Sequence, residues 1–215
     1  MNSARELTDS PDFRFVIDYF RALDFTDAEV YANWLAQTYA FVSHSVRLSA
    51  LGASRLDADE PLAKRMVAHT TEEKGHHLLA KHDIEALGRS LADYPSLGIT
   101  NAFYQAQYYK VLFEHPAHLL GQIVMLEAVS AELGPWLLDV VERRFGRQAT
   151  SFVRVHAYED QDHVLKALAA VKQLPPEQRQ GVEANFHQAC EIYYLILRSI
   201  RERAMELMKV ELATA

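Results

Sequence analysis

The stretch Val155-His156-Ala157-Tyr158-Glu159-Asp160-Gln161-Asp162-His163-Val164 decides the fold. Apolar at both ends and polar inside, it sets His156, Asp160 and His163 at i, i+4 and i+7, positions that share one face of a helix. Extended both ways, that face reads Phe152, His156, Asp160, His163, Ala167, Ala170 and Leu174. Its ends are apolar or small, so the stripe faces a core and carries three candidate metal ligands in its middle. Two buried imidazoles and a carboxylate without partners would cost about 1–3 kcal/mol each. A metal ion would satisfy all three at once.

The same periodicity runs through the rest of the chain. Apolar residues recur at three and four, no run alternates strictly, and the 8 glycines and 7 prolines stand mostly at expected helix ends. The reading is all-α: one domain over 1–215, with core helices over about 27–211 and a short helix over about 12–23 before them. Thr26 with Glu29 predicts a capping box for a helix over about 27–55. Pro61 opens the next, expected to run to Leu87 and stop at Gly88. An aromatic-rich helix follows near 100–113, then one from His115-Pro116 to about Leu133 that Gly134-Pro135 interrupts. A helix over about 136–145 ends at Gly146. The stripe helix is expected over about 148–173 and the last helix over about 177–211, with Phe186, Cys190, Tyr193, Leu197, Ile200, Ala204 and Leu207 on one seam.

Composition narrows the function classes. The 215 residues carry a net charge of −7 and no dense Lys/Arg cluster, which argues against nucleic-acid binding. A chain of this length buries roughly 70% of its unfolded surface and needs no disulfides. Cys190, alone, fits a reducing compartment. No run approaches the ~20 apolar residues of a membrane span. Met1 to Asp12 is polar, so no secretory signal is expected. The expected address is the cytoplasm, with no membrane partner.

Two more apolar faces carry polar residues. The Pro61 helix presents Leu62, Met66, His69, Glu73, His76, Ala80 and Leu87, with Glu73 and His76 at the Glu-x-x-His spacing of bundle di-metal sites. The bland reading is a wet face over Thr70–Lys74 and His77–His82; register with Met66 and Leu87 weakens it. His77 and His82 fall off the seam and read as solvent-facing or supporting groups. Glu127 shares a face with Leu120, Ile123 and Val124; alone it could cap a neighbour or pair with an arginine. Together, Glu73, His76, Glu127, His156, Asp160 and His163 are too many ligands for one zinc. A nitrogen and oxygen set with several carboxylates suits iron or manganese, and bridging carboxylates can hold two ions.

Glu73-x-x-His76, an isolated Glu127 and His156-x-x-x-Asp160-x-x-His163, in that order in an all-helical chain, resemble the haem-oxygenase-like di-iron oxidases and oxygenases. The run Glu72-Glu73-Lys74-Gly75-His76-His77 ending in Ile84-Glu85-Ala86-Leu87-Gly88 is similar to stretches of iron-containing redox enzymes. The resemblance covers about 27–200 and implies a bundle of about seven helices, two irons per chain and O₂ as cosubstrate. It implies a small-molecule substrate (an amino acid, amine or carboxylic acid) and C–C cleavage, desaturation or N-oxygenation as outcome. Members differ in whether the Glu stands three or seven residues before the His, and position 69 here is His. Some members place a Glu in the first core helix, where this chain offers His44. His44 and His69 are therefore further ligand candidates.

Tyr39, Tyr158 and Tyr194 could line a pocket, and Arg47, one turn after His44, could pair with a substrate carboxylate; Tyr158 and Arg47 are the candidate catalytic residues. Core packing for the tyrosines and a surface salt bridge for Arg47 are the structural alternatives. Three competing functions stay open. One is a ferritin-like bundle, which His156 argues against. Another is a thiaminase-like enzyme on the same fold, which would need Cys190 as nucleophile. The third is a non-catalytic metal- or partner-binding module, with a homodimer through the Tyr-rich 103–113 helix.

Overall fold

The computed structural model describes residues 5–214. Residues 1–4 and 215, the ends of the expected domain, lie outside the described residues. Among the described residues there is no strand. After the single turn α1 (Arg5–Thr8) come α2 (Pro11–Arg21), α3 (Ala28–Val42), α4 (Ser45–Ala53), α5 (Pro61–Glu72), α6 (His76–Ala86) and α7 (Gly98–Phe113). The long helices α8 (Leu119–Phe145), α9 (Ser151–Gln173) and α10 (Pro176–Thr214) complete the chain. Taking α3 with α4 and α5 with α6 as broken rods, the described residues form the expected seven-helix bundle beside α1. None of these helices is long and apolar enough to cross a membrane.

Three helix boundaries differ from the sequence reading. The 27–55 helix breaks at Ser43-His44, where Ser43 Oγ donates to Ala40 O at 2.8 Å and competes with the helix ladder. The 61–87 helix breaks at Glu73–Gly75, because Gly75 takes a left-handed φ of 90° that no continuous helix allows. Conversely, α8 runs straight through Pro135. That proline cannot donate to the Ala131 carbonyl, which Gln161 Nε2 of α9 satisfies instead. The Thr26–Glu29 box does not form: Asp27 caps α3, accepting from Glu29 N at 2.8 Å, while Thr26 Oγ1 donates to Asp24.

The buried apolar residues form one connected cluster. The seam of α10 is buried from Phe186 to Ala204, but Leu207 is exposed, so the helix runs past the core. On α7, Tyr109 and Phe113 are exposed with ring centroids 5.3 Å apart, on the face that the sequence offers for a homodimer.

Helices α8 and α9 lie antiparallel, and their separation is set by Gly134. A Cβ there would stand 2.9 Å from Ala157 Cα and 3.1 Å from its Cβ. Only a residue without a side chain lets the backbones approach this closely. Gly134→Ala should cost about 1–3 kcal/mol through overpacking. Urea denaturation of that variant beside the Gly134→Ala/Ala157→Gly double variant checks this: the second change should recover most of the loss.

Candidate metal centre

Glu73, His76 and His156 meet between α5, α6 and α9. Their ligand atoms all lie within 4.8 Å of one another. The break at Gly75 makes Glu73 the C-cap of α5 and His76 the first residue of α6, yet Glu73 Oε2 remains 3.8 Å from His76 Nδ1. The His76 and His156 rings are 4.9 Å apart, nearly perpendicular. His156 Nδ1 donates to the Phe152 carbonyl at 2.8 Å. A carbonyl only accepts, so Nδ1 carries the hydrogen and Nε2 keeps its lone pair for an incoming cation. Burial pushes His76 below its ordinary value, against the opposing pull of Glu73, and so favours the neutral ring, which has one nitrogen lone pair to offer a cation. His76 Nδ1 is buried without a hydrogen bond.

Beside this trio stands a second group. His163 Nδ1 is 3.2 Å from Asp160 Oδ1, and its Nε2 is 4.0 Å from Glu72 Oε2. The hydrogen bond to Asp160 raises His163 above the usual histidine value. Glu127 is 6% exposed, and neither of its carboxyl oxygens has a hydrogen-bond partner. Burial pushes its carboxyl well above the ordinary range, and the nearby Asp160, Glu73 and Glu72 add to the rise. His69 Nδ1 lies 3.8 Å from Glu127 Oε1 and 3.6 Å from Glu72 Oε2. His69 and Arg65, whose Nη1 is 2.7 Å away, hold Glu72 well below the ordinary carboxylate range.

The donor set fits a cation. A buried carboxyl without a hydrogen bond, beside three more carboxylates, must take up a proton or a cation, and Arg65 reaches only Glu72 closely, standing 3.9 Å from Glu127. Mixed imidazole and carboxylate donors match iron or manganese.

Other sequence candidates lie elsewhere. His44 Nδ1 is 2.9 Å from the Tyr108 hydroxyl, and its ring stacks on Tyr104 at 3.9 Å, so the break after α3 turns it toward α7 and away from the centre. Tyr158 is 70% exposed and Arg47 is exposed on α4; neither lines the cavity described next. Tyr39 packs against His77, and Tyr194 against Phe15 and Tyr19. His77 is half-buried and His82 exposed. Not foreseen were Glu72 and Arg65, which sit one turn to either side of His69 on α5. Asp83 was also missed: fully buried on α6, it accepts from Ser151 N at 2.9 Å and Phe152 N at 2.8 Å at the start of α9.

A cavity of about 120 Å³ opens onto Glu73, Glu127, His156 and Asp160. Its remaining wall is mostly apolar, with Trp34, Phe41, Leu119, Leu133 and Phe152 among its lining. Cys190 is buried elsewhere, in the α10 seam, where burial pushes the thiol far up. A thiol reagent at pH 8 should therefore leave Cys190 unmodified until the protein is unfolded, and Cys190→Ala should keep activity within about twofold; fast labelling of the folded protein would restore the nucleophile reading.

The family model for iron-containing redox enzymes matches residues 32–195. No curated protein matches the chain. Among solved structures, the chain is similar to a domain of unknown function with a haem-oxygenase-like fold from Shewanella denitrificans, at 22% identity and TM-score 0.75, covering 95% of this chain and 89% of that one. It is also similar to a TenA homologue from Pseudomonas syringae pv. tomato, at 11% identity and TM-score 0.74, covering 93% and 92%. A CADD-like protein of unknown function from Nostoc punctiforme follows at 17% identity and TM-score 0.64, covering 92% and 89%.

Proposed function

The chain belongs to the iron-containing redox enzyme family, on a haem-oxygenase-like fold, and from that premise we propose that it is an O₂-dependent non-haem di-iron oxidoreductase acting on a small metabolite. Glu73, His76 and His156 would hold one ion. Glu127, Asp160 and His163 would hold the other, with His69 and Glu72 adjoining. The observation that carries this reading is Glu127: a carboxyl buried without any hydrogen bond, beside a trio of convergent ligands, at the mouth of an apolar cavity.

Iron bound here supplies the electron transfers by which O₂ is reduced, while the protein supplies position and a dry site. The chain's own contributions follow from the geometry. Phe152 O fixes the His156 tautomer. Asp160 orients the His163 ring. Glu127 and His163, both raised above their ordinary values in the metal-free protein, would give up their protons as iron binds. The apolar wall excludes bulk water from the substrate. Desaturation, C–C cleavage and N-oxygenation are the proposed outcomes, taken from the family resemblance and not from the geometry.

Anaerobic Fe(II) titration of metal-stripped protein, followed by O₂ mixing with and without trial substrates, tests the proposal. Two irons per chain, reduced in His156→Ala, with O₂ consumption that a substrate accelerates, is the expected result. Iron binding without substrate-triggered O₂ uptake would point to a ferritin-like or binding module. Indifference to His156→Ala would sink the assignment.

A further inference from the structure

The cavity wall carries no lysine and no arginine. Among the described residues that line it, the charged ones are the acids of the metal centre, with His69 and His156 beside them. Helix α3 contributes a different kind of wall: Trp34, Thr38, Phe41 and Val42, with no carboxylate. Within it, Thr38 is 3% exposed and its Oγ1 is buried without a hydrogen-bond partner. A hydroxyl in that state is destabilising unless something in the cavity pairs with it. Arg47, the one cation the sequence offered for a substrate carboxylate, is on the surface.

We propose that the cavity lodges an uncharged, apolar ligand portion about the size of one small ring, whose neutral hydroxyl or carbonyl is hydrogen-bonded by Thr38. This rests on the reading of the cavity as the substrate site of the iron centre and narrows the substrate class. Size follows from the volume of about 120 Å³, comparable to the ~150 Å³ cavity that takes up benzene. Charge follows from the lining. Against the α3 wall an anion would lose its water and find no counter-ion, since no lysine or arginine lines the cavity and iron would stand on the far side, at Glu73, Glu127, His156 and Asp160. A hydroxyl or carbonyl loses less on entry and regains a hydrogen bond from Thr38. Aliphatic or aromatic surface is matched by Trp34, Phe41 and Phe152. Thr38 is thus a specificity residue distinct from the ligands of the metal.

Trp34 lines the cavity and Trp136 does not, so a Trp136→Phe background makes Trp34 emission the reporter. Benzyl alcohol, toluene and benzenesulfonate are titrated into iron-loaded protein under nitrogen, then into protein never given metal. Benzenesulfonate is chosen because it ligates metal weakly and so reads charge. Benzyl alcohol should bind at least tenfold tighter than benzenesulfonate in the metal-free protein. Thr38→Val should weaken benzyl alcohol about tenfold and leave toluene within twofold. Sulfonate binding as tight as the alcohol in the metal-free protein, no binding by any probe, or an alcohol-to-toluene ratio unmoved by Thr38→Val would each overturn the proposal. Failure of the iron reading would look different: no iron loads, yet the probe preference persists in the metal-free protein.

Discussion

Replacing Glu127 by leucine should make the metal-free protein more stable and the iron-dependent reaction far slower. The two effects have one cause. Glu127 sits 6% exposed on α8, with both oxygens unpartnered. Whether it holds a proton or a charge, it has lost water and gained no hydrogen bond, at a cost of about 1–3 kcal/mol. Leucine, of similar length, suits a site flanked by Ile123, Val124 and Leu126. Gains of that size would raise Tm by roughly 2–10 °C for a chain of this length. The sign with pH follows from linkage. Glu127 has its folded-state value raised by burial first and by Asp160 next. A raised carboxyl binds its proton more tightly in the folded state. Stability is therefore lost as pH rises from the ordinary carboxyl range toward the raised value. The advantage of Glu127→Leu should widen from pH 5 to pH 8, read by thermal melts of metal-free protein. Iron stoichiometry should fall toward one, and O₂ consumption by more than ~100-fold, beyond the usual cost of losing a supporting group. Glu127→Gln, which keeps the shape, should match the loss of activity without the full gain in stability. A destabilised metal-free Glu127→Leu would mean that the carboxyl has a structural partner after all.

What could be read from the sequence was what local chemistry decides. The helix starts at Pro61 and Pro176 and the stops near Gly88 and Gly146 follow from backbone freedom alone. The breaks at Ser43-His44 and Gly75 carried local signals too: a serine able to bond back to its own helix, and a glycine in the middle of the expected 61–87 helix, far from either end. Continuity through Pro135 carried none, because the group that satisfies the Ala131 carbonyl is Gln161 on another helix. The stripe His156, Asp160, His163 was legible by its period. That same period argues against Tyr158, which lies two residues, roughly 200°, from His156 and faces solvent. Glu72 stayed hidden behind the assumption of one unbroken helix, which put it off the seam. Within α5 its carboxylate meets His69 one turn back and Arg65 two turns back, and it also meets Lys166 of α9. Thr38 could not be found at all, since an unpartnered hydroxyl is a property of three-dimensional surroundings.

Asp83→Asn should produce the largest loss of stability and weaken iron binding without touching a ligand. Asp83 is fully buried in a stretch, Lys81-His82-Asp83-Ile84-Glu85, that reads as ordinary amphipathic helix. Its two oxygens accept from Ser151 N, Phe152 N and Ser151 Oγ across the α6–α9 contact. Those amides are among the free donors at the start of α9, where a negative charge also meets the positive end of the helix dipole. Burial raises the Asp83 carboxyl, so the hydrogen bonds do not fully offset its desolvation. An asparagine would keep one acceptor and turn an N–H₂ toward N–H groups. The expected loss is about 2–4 kcal/mol, or roughly 4–16 °C in Tm. The consequence for the centre follows from register. His76 lies two turns before Asp83 on α6, and His156 lies one turn after Phe152 on α9. The clamp at Asp83 therefore fixes the separation of the two rings, now 4.9 Å. Loosening it should weaken the Glu73–His76–His156 subsite by about 10–100-fold, the usual effect of removing a group that orients ligands. Iron titration and melts at saturating iron separate the possibilities. A positioning role lowers iron affinity, and saturating metal restores part of the lost Tm. A merely structural role lowers Tm and leaves the affinity of the folded fraction unchanged.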